Sequence, residues 1–177
     1  MAQVKWILDP AHSEISFKVK HLMISTITGY FKNFNLEVTT EDEDFSTASN
    51  IIFTADIDSI DTKNEQRDAH LKSAEFFNGE EHSQIKFVGT GLHVEDEESK
   101  LKGELTIKGI THHVKVKVEF GGIAVDPYGQ RKAGFTVQGK ISREDFGLMW
   151  NAVTEAGSVV VGDKVKFSGE IQLIKQE

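Results

Sequence analysis

From Thr111 to Phe120 the chain alternates almost without error: Val114, Val116, Val118 and Phe120 fall on one side, His113, Lys115, Lys117 and Glu119 on the other. Successive side chains of a strand point to opposite faces, so this is a strand with one dry and one wet face. The same period recurs in Ile15, Phe17 and Val19, in Phe34, Leu36 and Val38, in Ile51, Phe53, Ala55 and Ile57, and in Ile85 and Phe87. It returns in Leu101, Leu105 and Ile107, in Phe135, Val137 and Ile141, and in Val165, Phe167, Ile171 and Leu173. The pattern predicts an all-β fold of about eight long strands. A sheet wetted on one face must bury the other, which leaves a sandwich or a closed barrel. Long strands without interrupting Pro favour closure, because a barrel has no exposed edge.

Turn chemistry agrees with antiparallel neighbours. Asp126, Pro127, Tyr128 and Gly129 read as a type I turn, with Asp accepting, Pro presetting φ and Gly closing. The acidic runs 41–44 and 95–98 read as solvated hairpin tips. One stretch breaks the period. Thr62 followed by Glu65 is a capping-box signature, and good helix formers follow it, so a short helix is predicted over 63–71. Lying between the third and fourth strands, it is placed to plug one barrel end. The adjacent Phe76 and Phe77 cannot both face one side of a strand, and 143–157 carries no clean period, so both segments are expected at a barrel end. No repeat or linker divides the chain, and residues 1–177 read as one domain.

Composition then removes whole classes of function. With no Cys there are no disulfides, thiolate nucleophiles or Cys-ligated metals. A net charge of -8 opposes nucleic-acid binding, which relies on clustered Lys and Arg. No apolar run approaches the roughly 20 residues of a spanning helix. The chain passes from Met1 directly into a strand-like segment, so it is expected in the cytoplasm as written, or in the periplasm if an export signal was removed. Seven His do not make a metal site: His112 and His113 are adjacent on a strand and point apart, and no HExxH is present. Neither a GxSxG elbow nor a phosphate-cradling loop occurs, and no cofactor is expected. Asp9, His12 and Ser13 lie close in sequence, and a hydrogen-bonded turn leading into a strand is their simplest reading.

The inward rows define what the interior accepts. They are Phe, Val, Ile and Leu with almost no charge, so an occupant has to be mostly hydrocarbon, its polar head near a mouth. Gly103, Gly139 and Gly169 interrupt these rows. Two readings stay open: they leave volume for a ligand, or they relieve crowding where the sheet bends. Candidate lining residues are Phe17, Val19, Phe31, Phe34, Phe53, Phe87, Leu105, Val116, Phe135 and Phe167, with Phe76, Phe77 and Trp150 near the ends. Arg67, His70 and Arg143 are the head-group candidates.

Four blocks carry a resemblance: WILDPAHSEISFKVKHLMISTITGYF at 6–31, RDAHLKSAEFF at 67–77, GELTIKGITHHV at 103–114 and ISREDFGLMWN at 141–151. In this order they resemble the YceI-like family of lipid-binding proteins, over essentially the whole chain. The resemblance implies an extended eight-stranded, lipocalin-like antiparallel barrel whose tunnel holds a polyisoprenoid, a quinone tail, or a fatty acid or amide. It also implies homodimers and no established catalysis. Ser83 and His113 stand where family members commonly have Pro. Three functions follow as expectations: a non-catalytic carrier of a long isoprenoid or acyl amphiphile, an enzyme on a lipid-like substrate using His12, His70 or Asp145, or a module whose barrel is filled by its own side chains.

Overall fold

The computed structural model describes residues 2–95, 98–151 and 160–177. Asp96 and Glu97 of the expected acidic tip, and 152–157 of the expected irregular segment, lie outside the described residues. The strands are β1 (Gln3–Leu8), β2 (Glu14–His21), β3 (Ser25–Phe31), β4 (Phe34–Glu41), β5 (Asp44–Asp56), β6 (Ile60–Asp61), β7 (Gln84–Glu95), β8 (Glu98–Ile107), β9 (Ile110–Val125), β10 (Arg131–Ser142) and β11 (Val161–Lys175), with one helix, α1 (Glu65–Lys72), after β6.

Hydrogen bonding orders them β1-β4-β5-β7-β8-β9-β10-β11-β2-β3-β6, and an added β1–β11 pairing closes the ring. Eleven strands make eight staves, because three staves are broken. Strands β1 and β2 both pair with β11, through Leu8↔Leu173 and Phe17↔Phe167. They are one stave cut by the turn at Pro10–His12, where Asp9 caps and Pro10 presets φ. Likewise β3 and β4 lie along that stave, and β5 and β6 lie along the next. The result is a closed, eight-stranded antiparallel barrel, every neighbour following its neighbour in sequence. At about 3.4 Å per residue, the 16 residues of β9 extend roughly 50 Å, so the barrel is long for its girth.

One end is packed shut. Val4, Trp6 and Leu8 of β1 face inward and meet Phe45, Ala133, Ile171 and Leu173. Trp6 is fully buried, and its indole N–H donates to Thr40 Oγ1 at 2.9 Å, which leaves no polar atom stranded. Phe45 stands on both Trp6 and Phe135, each at a ring separation of 4.8 Å. On the outside of this end Arg131 and Lys175 grip Glu43; the Arg131 hydrogen bond is the main reason its carboxyl falls to about 2. The expected turn is there too, with Asp126 Oδ1 accepting from the Tyr128 and Gln130 amides, both at 2.9 Å.

The other end carries α1 and residues 143–151. The helix begins two residues later than the sequence predicts. Asn64, not Thr62, is its N-cap, accepting from the Arg67 amide at 3.0 Å, while Lys63 sits at φ 63°, outside helical space. Thr62 is drawn off by Asp68, whose Oδ1 accepts from both its amide and its hydroxyl. Phe120 keeps the inward register expected of it, opposite Phe135 and with its ring against Phe45 and Phe135. It is nevertheless 54 % exposed, because it ends the row just before the irregularity between Phe135 and Gly134.

Candidate functional site

Between the packed floor and α1 lies a cavity of about 620 Å³. Its walls come from inward positions of every stave: Phe17 of β2, Phe31 of β3, Phe53 of β5, Phe87 of β7, Leu105 of β8, Val116 of β9, Phe135 of β10 and Phe167 of β11. Polar lining gathers at one end, where Thr62, Asn64, Gln66, Arg67 and His70 come from α1 and its approach and Lys20 and His21 from β2. Such a volume falls inside the ordinary range for small-ligand sites. The arrangement is an apolar shaft with a polar mouth.

The glycines do not leave empty volume, which corrects one of the two readings of Gly103 and Gly139. Register puts Gly139 opposite Phe167 and Gly29 opposite Phe17. An added Cβ would stand 2.1 Å from Phe167 Cζ at Gly139, 2.2 Å from Phe17 Cζ at Gly29, and 2.5 Å from Phe87 Cζ at Gly103. Each ring therefore lies flat over a glycine on the neighbouring strand. The shaft stays open because its aromatic lining is folded against the wall. Gly169 is different: an added Cβ there meets Glu14 O and Val137 Cγ2 at 3.1 Å.

Of the residues expected to line the interior, Phe17, Val19, Phe31, Phe53, Phe87, Leu105, Val116, Phe135 and Phe167 face the cavity, as do Phe76, Phe77 and Trp150 at its mouth. Phe34 does not; it packs on Phe53 at 6.0 Å and borders a shallow outer depression with Tyr30 and Lys32, beside the break between β3 and β4. Two aromatic chains roof the shaft. His70, Phe76 and Trp150 meet edge to face or tilted, at 4.7 to 5.5 Å, and Phe77, Phe31 and Phe17 run down the facing wall. Thr62, Asn64 and Gln66 were not among the candidates. Their signal was their place just before and inside α1, which period counting ignores.

The three head-group candidates have distinct surroundings. Arg67 Nε and Nη2 donate to Thr62 Oγ1 and Thr62 O, both at 2.8 Å, which holds the guanidinium at the rim. His70 Nε2 bonds Glu75. Arg143 is only 3 % exposed, and its guanidinium donates to four main-chain carbonyls: Gly162 at 2.8 Å, Trp150 at 3.0 Å, Val161 at 3.2 Å, and Leu148. Burial pushes its pKa below the usual value. Arg143 borders the cavity, but its donors are spent on holding the mouth segment to β11.

The acid–base candidates are not brought together. His12 pairs with Asp9 at 2.8 Å on the outside of the β1–β2 corner, and Asp145 is an exposed residue whose carbonyl accepts from His112 Nε2 at 2.8 Å. Neither lines the cavity. Among the described residues, no three of His, Cys, Asp and Glu are grouped to hold a metal ion, and no helix is long and apolar enough to cross a membrane.

Topology and shaft together define an up-and-down barrel of lipocalin type, closed at one end and built around one apolar chamber. The chain belongs to the YceI-like family: the YceI-like domain matches residues 6–173. It is 41 % identical over 171 residues to a UPF0312 protein of Staphylococcus epidermidis, covering 95 % of this chain and 96 % of the relative. Among solved structures, the Campylobacter jejuni YCEI protein superposes with a TM-score of 0.74 at 30 % identity, covering 96 % of this chain and 97 % of that one. A polyisoprenoid binding domain from Saccharophagus degradans shares the fold, with a TM-score of 0.70 at 14 % identity, covering 97 % and 98 %.

Proposed function

We propose that this protein binds a long-chain amphiphile in the barrel shaft, with a polyisoprenoid, quinone tail, or fatty acid or amide as the ligand class, and carries, stores or sequesters it without chemical change. The observation that carries this reading is the distribution of polarity: about 620 Å³ lined by hydrocarbon and aromatic rings, with the polar residues, Ser16 apart, gathered at one mouth. A ligand matching it has a long apolar tail and a small head. Burying about ten methylenes contributes roughly 8 kcal/mol in transfer terms, at about 0.8 kcal/mol each. Association and chain ordering cost several kcal/mol, so tail burial alone supports useful affinity. Arg67 and His70, at the rim, stand where the head would emerge. The Saccharophagus degradans domain, described as polyisoprenoid binding, supports the ligand class by analogy of fold.

The test is organic extraction of protein purified from its native host, followed by mass spectrometry. One long-chain species near one per barrel is expected. Recovery of buffer components alone, in repeated preparations, would contradict the carrier reading.

A further inference from the structure

The chain carries a net charge of -8, yet the wall beside the mouth concentrates the opposite sign. Lys18 and Lys20 on β2, Lys140 on β10, and Lys164 and Lys166 on β11 are all exposed. Register sets Lys18 opposite Lys166, and Lys166 opposite Lys140, so three like charges form a row straight across three strands. Like charges directly opposed on a sheet are destabilising. Elsewhere the barrel relieves its lysines, Lys132 with Asp9 and Asp126 and Lys117 with Glu98. Here the acid at hand is Asp163, 3.9 Å from Lys164 and already engaged by the Ser142 hydroxyl and the Glu144 amide. Among the described residues, Lys18, Lys20, Lys140 and Lys166 have no carboxylate at ion-pair distance.

The hairpin joining β2 to β3 ends this wall. Leu22 and Met23 both have positive φ, 53° and 59°, and the Ile24 amide donates to His21 O at 3.2 Å. Two successive turn residues at positive φ ordinarily are Asn-Gly, because bulky side chains are strained there. This one spends that strain on holding Met23 56 % exposed and Ile24 82 % exposed. Met149, also exposed, lies in the mouth segment at the same end. The stem residues Lys20 and His21 line the cavity, so lysines, apolar tip and mouth form one region.

We infer that this end of the barrel docks on an anionic lipid bilayer, with Met23 and Ile24 entering the boundary between headgroups and acyl chains and the lysine row lying against the phosphates. Charge complementarity alone would suit any polyanion. The exposed apolar tip beside the lysines selects a bilayer, which accepts both. The purpose of docking rests on the carrier reading: a hydrocarbon ligand would pass between membrane and shaft without crossing water.

The experiment is cosedimentation of the full chain with vesicles of phosphatidylcholine, and of phosphatidylcholine mixed with phosphatidylglycerol. Binding is expected to the mixed vesicles only, weakening as salt is added. Near such a surface each lysine contributes about fivefold in affinity, so Lys18→Glu with Lys166→Glu is expected to weaken binding by more than about tenfold. Met23→Ser with Ile24→Ser is expected to weaken it as well, leaving the salt dependence in place. Both pairs lie outside the cavity, and circular dichroism together with uptake of an apolar fluorophore without vesicles is expected to match the unsubstituted protein. Failure of that uptake in the unsubstituted protein would count against the carrier reading while leaving docking intact. Absence of vesicle binding, or equal binding by the charge-reversed protein, overturns the inference; retention of polyglutamate by the same lysines without vesicle binding would assign the surface to an acidic protein instead.

Discussion

Replacing Gly139 with Ala is expected to cost about 2 kcal/mol of stability, the usual range for overpacking, and to lower affinity for a long-chain ligand by roughly tenfold. The added Cβ would stand 2.1 Å from Phe167 Cζ, so the ring has to leave the wall. Sheet backbone blocks it on one side, and the shaft is the space it can enter. Tail-binding volume and wall packing are therefore lost together. Two controls separate this from general damage. Gly134→Ala, on the same strand, adds a Cβ that meets nothing within 4 Å and is expected to leave stability and binding unchanged. Adding Phe167→Leu to Gly139→Ala removes the clashing ring end and is expected to recover most of the affinity. Denaturant unfolding and fluorophore titration measure both effects, and unchanged binding by Gly139→Ala would contradict the flat-ring account of the shaft.

Arg143→Met is expected to cost about 3 kcal/mol or more, because several buried carbonyls lose their donor at once. The four accepting oxygens belong to Leu148, Trp150, Val161 and Gly162, so the substitution unties the mouth segment from β11. Arg143→Lys is expected to recover little, since one ammonium cannot reproduce a planar fork spread over four acceptors. Hydrogen exchange should rise first at 143–151 and 160–162, with β7 to β9 still protected. Ligand release should quicken with it, because Trp150 sits on His70 and Phe76 over the shaft. Unchanged exchange in the mouth segment would show that the clamp is not what holds it.

These two arginine and glycine roles mark the boundary of what was readable in the sequence. The dry face of β9 was legible from Val114, Val116 and Val118 because a half-buried strand prints its period directly. The closed all-β fold followed from many such rows. The turn at Pro10–His12 was legible from Asp9, His12 and Ser13, but the break at Ile57–Ser59 was not, since a short corner leaves no period of its own, and the strand count survived because broken strands rejoin as staves. Gly139 could be seen to face inward, but not that Phe167 on the next strand lies over it; that depends on register, which one strand's pattern does not contain. Arg143 near an apolar interior suggested a charge waiting for a ligand. Its partners are main-chain oxygens up to nineteen residues away, and no residue type at those positions announces them. Thr62 was misread for a related reason: Asn64 competes for the same cap and lies closer to the helix.

The most direct measurement of the central claim is isotope-filtered NMR on protein with labelled Val and Leu methyls, loaded with an unlabelled long-chain isoprenoid or fatty amide. The account predicts contacts from the ligand tail to Leu105 and Val116 deep in the shaft, with its head near Arg67 and His70. Tail contacts confined to the outer surface, with Leu105 and Val116 silent in saturated samples, would contradict it.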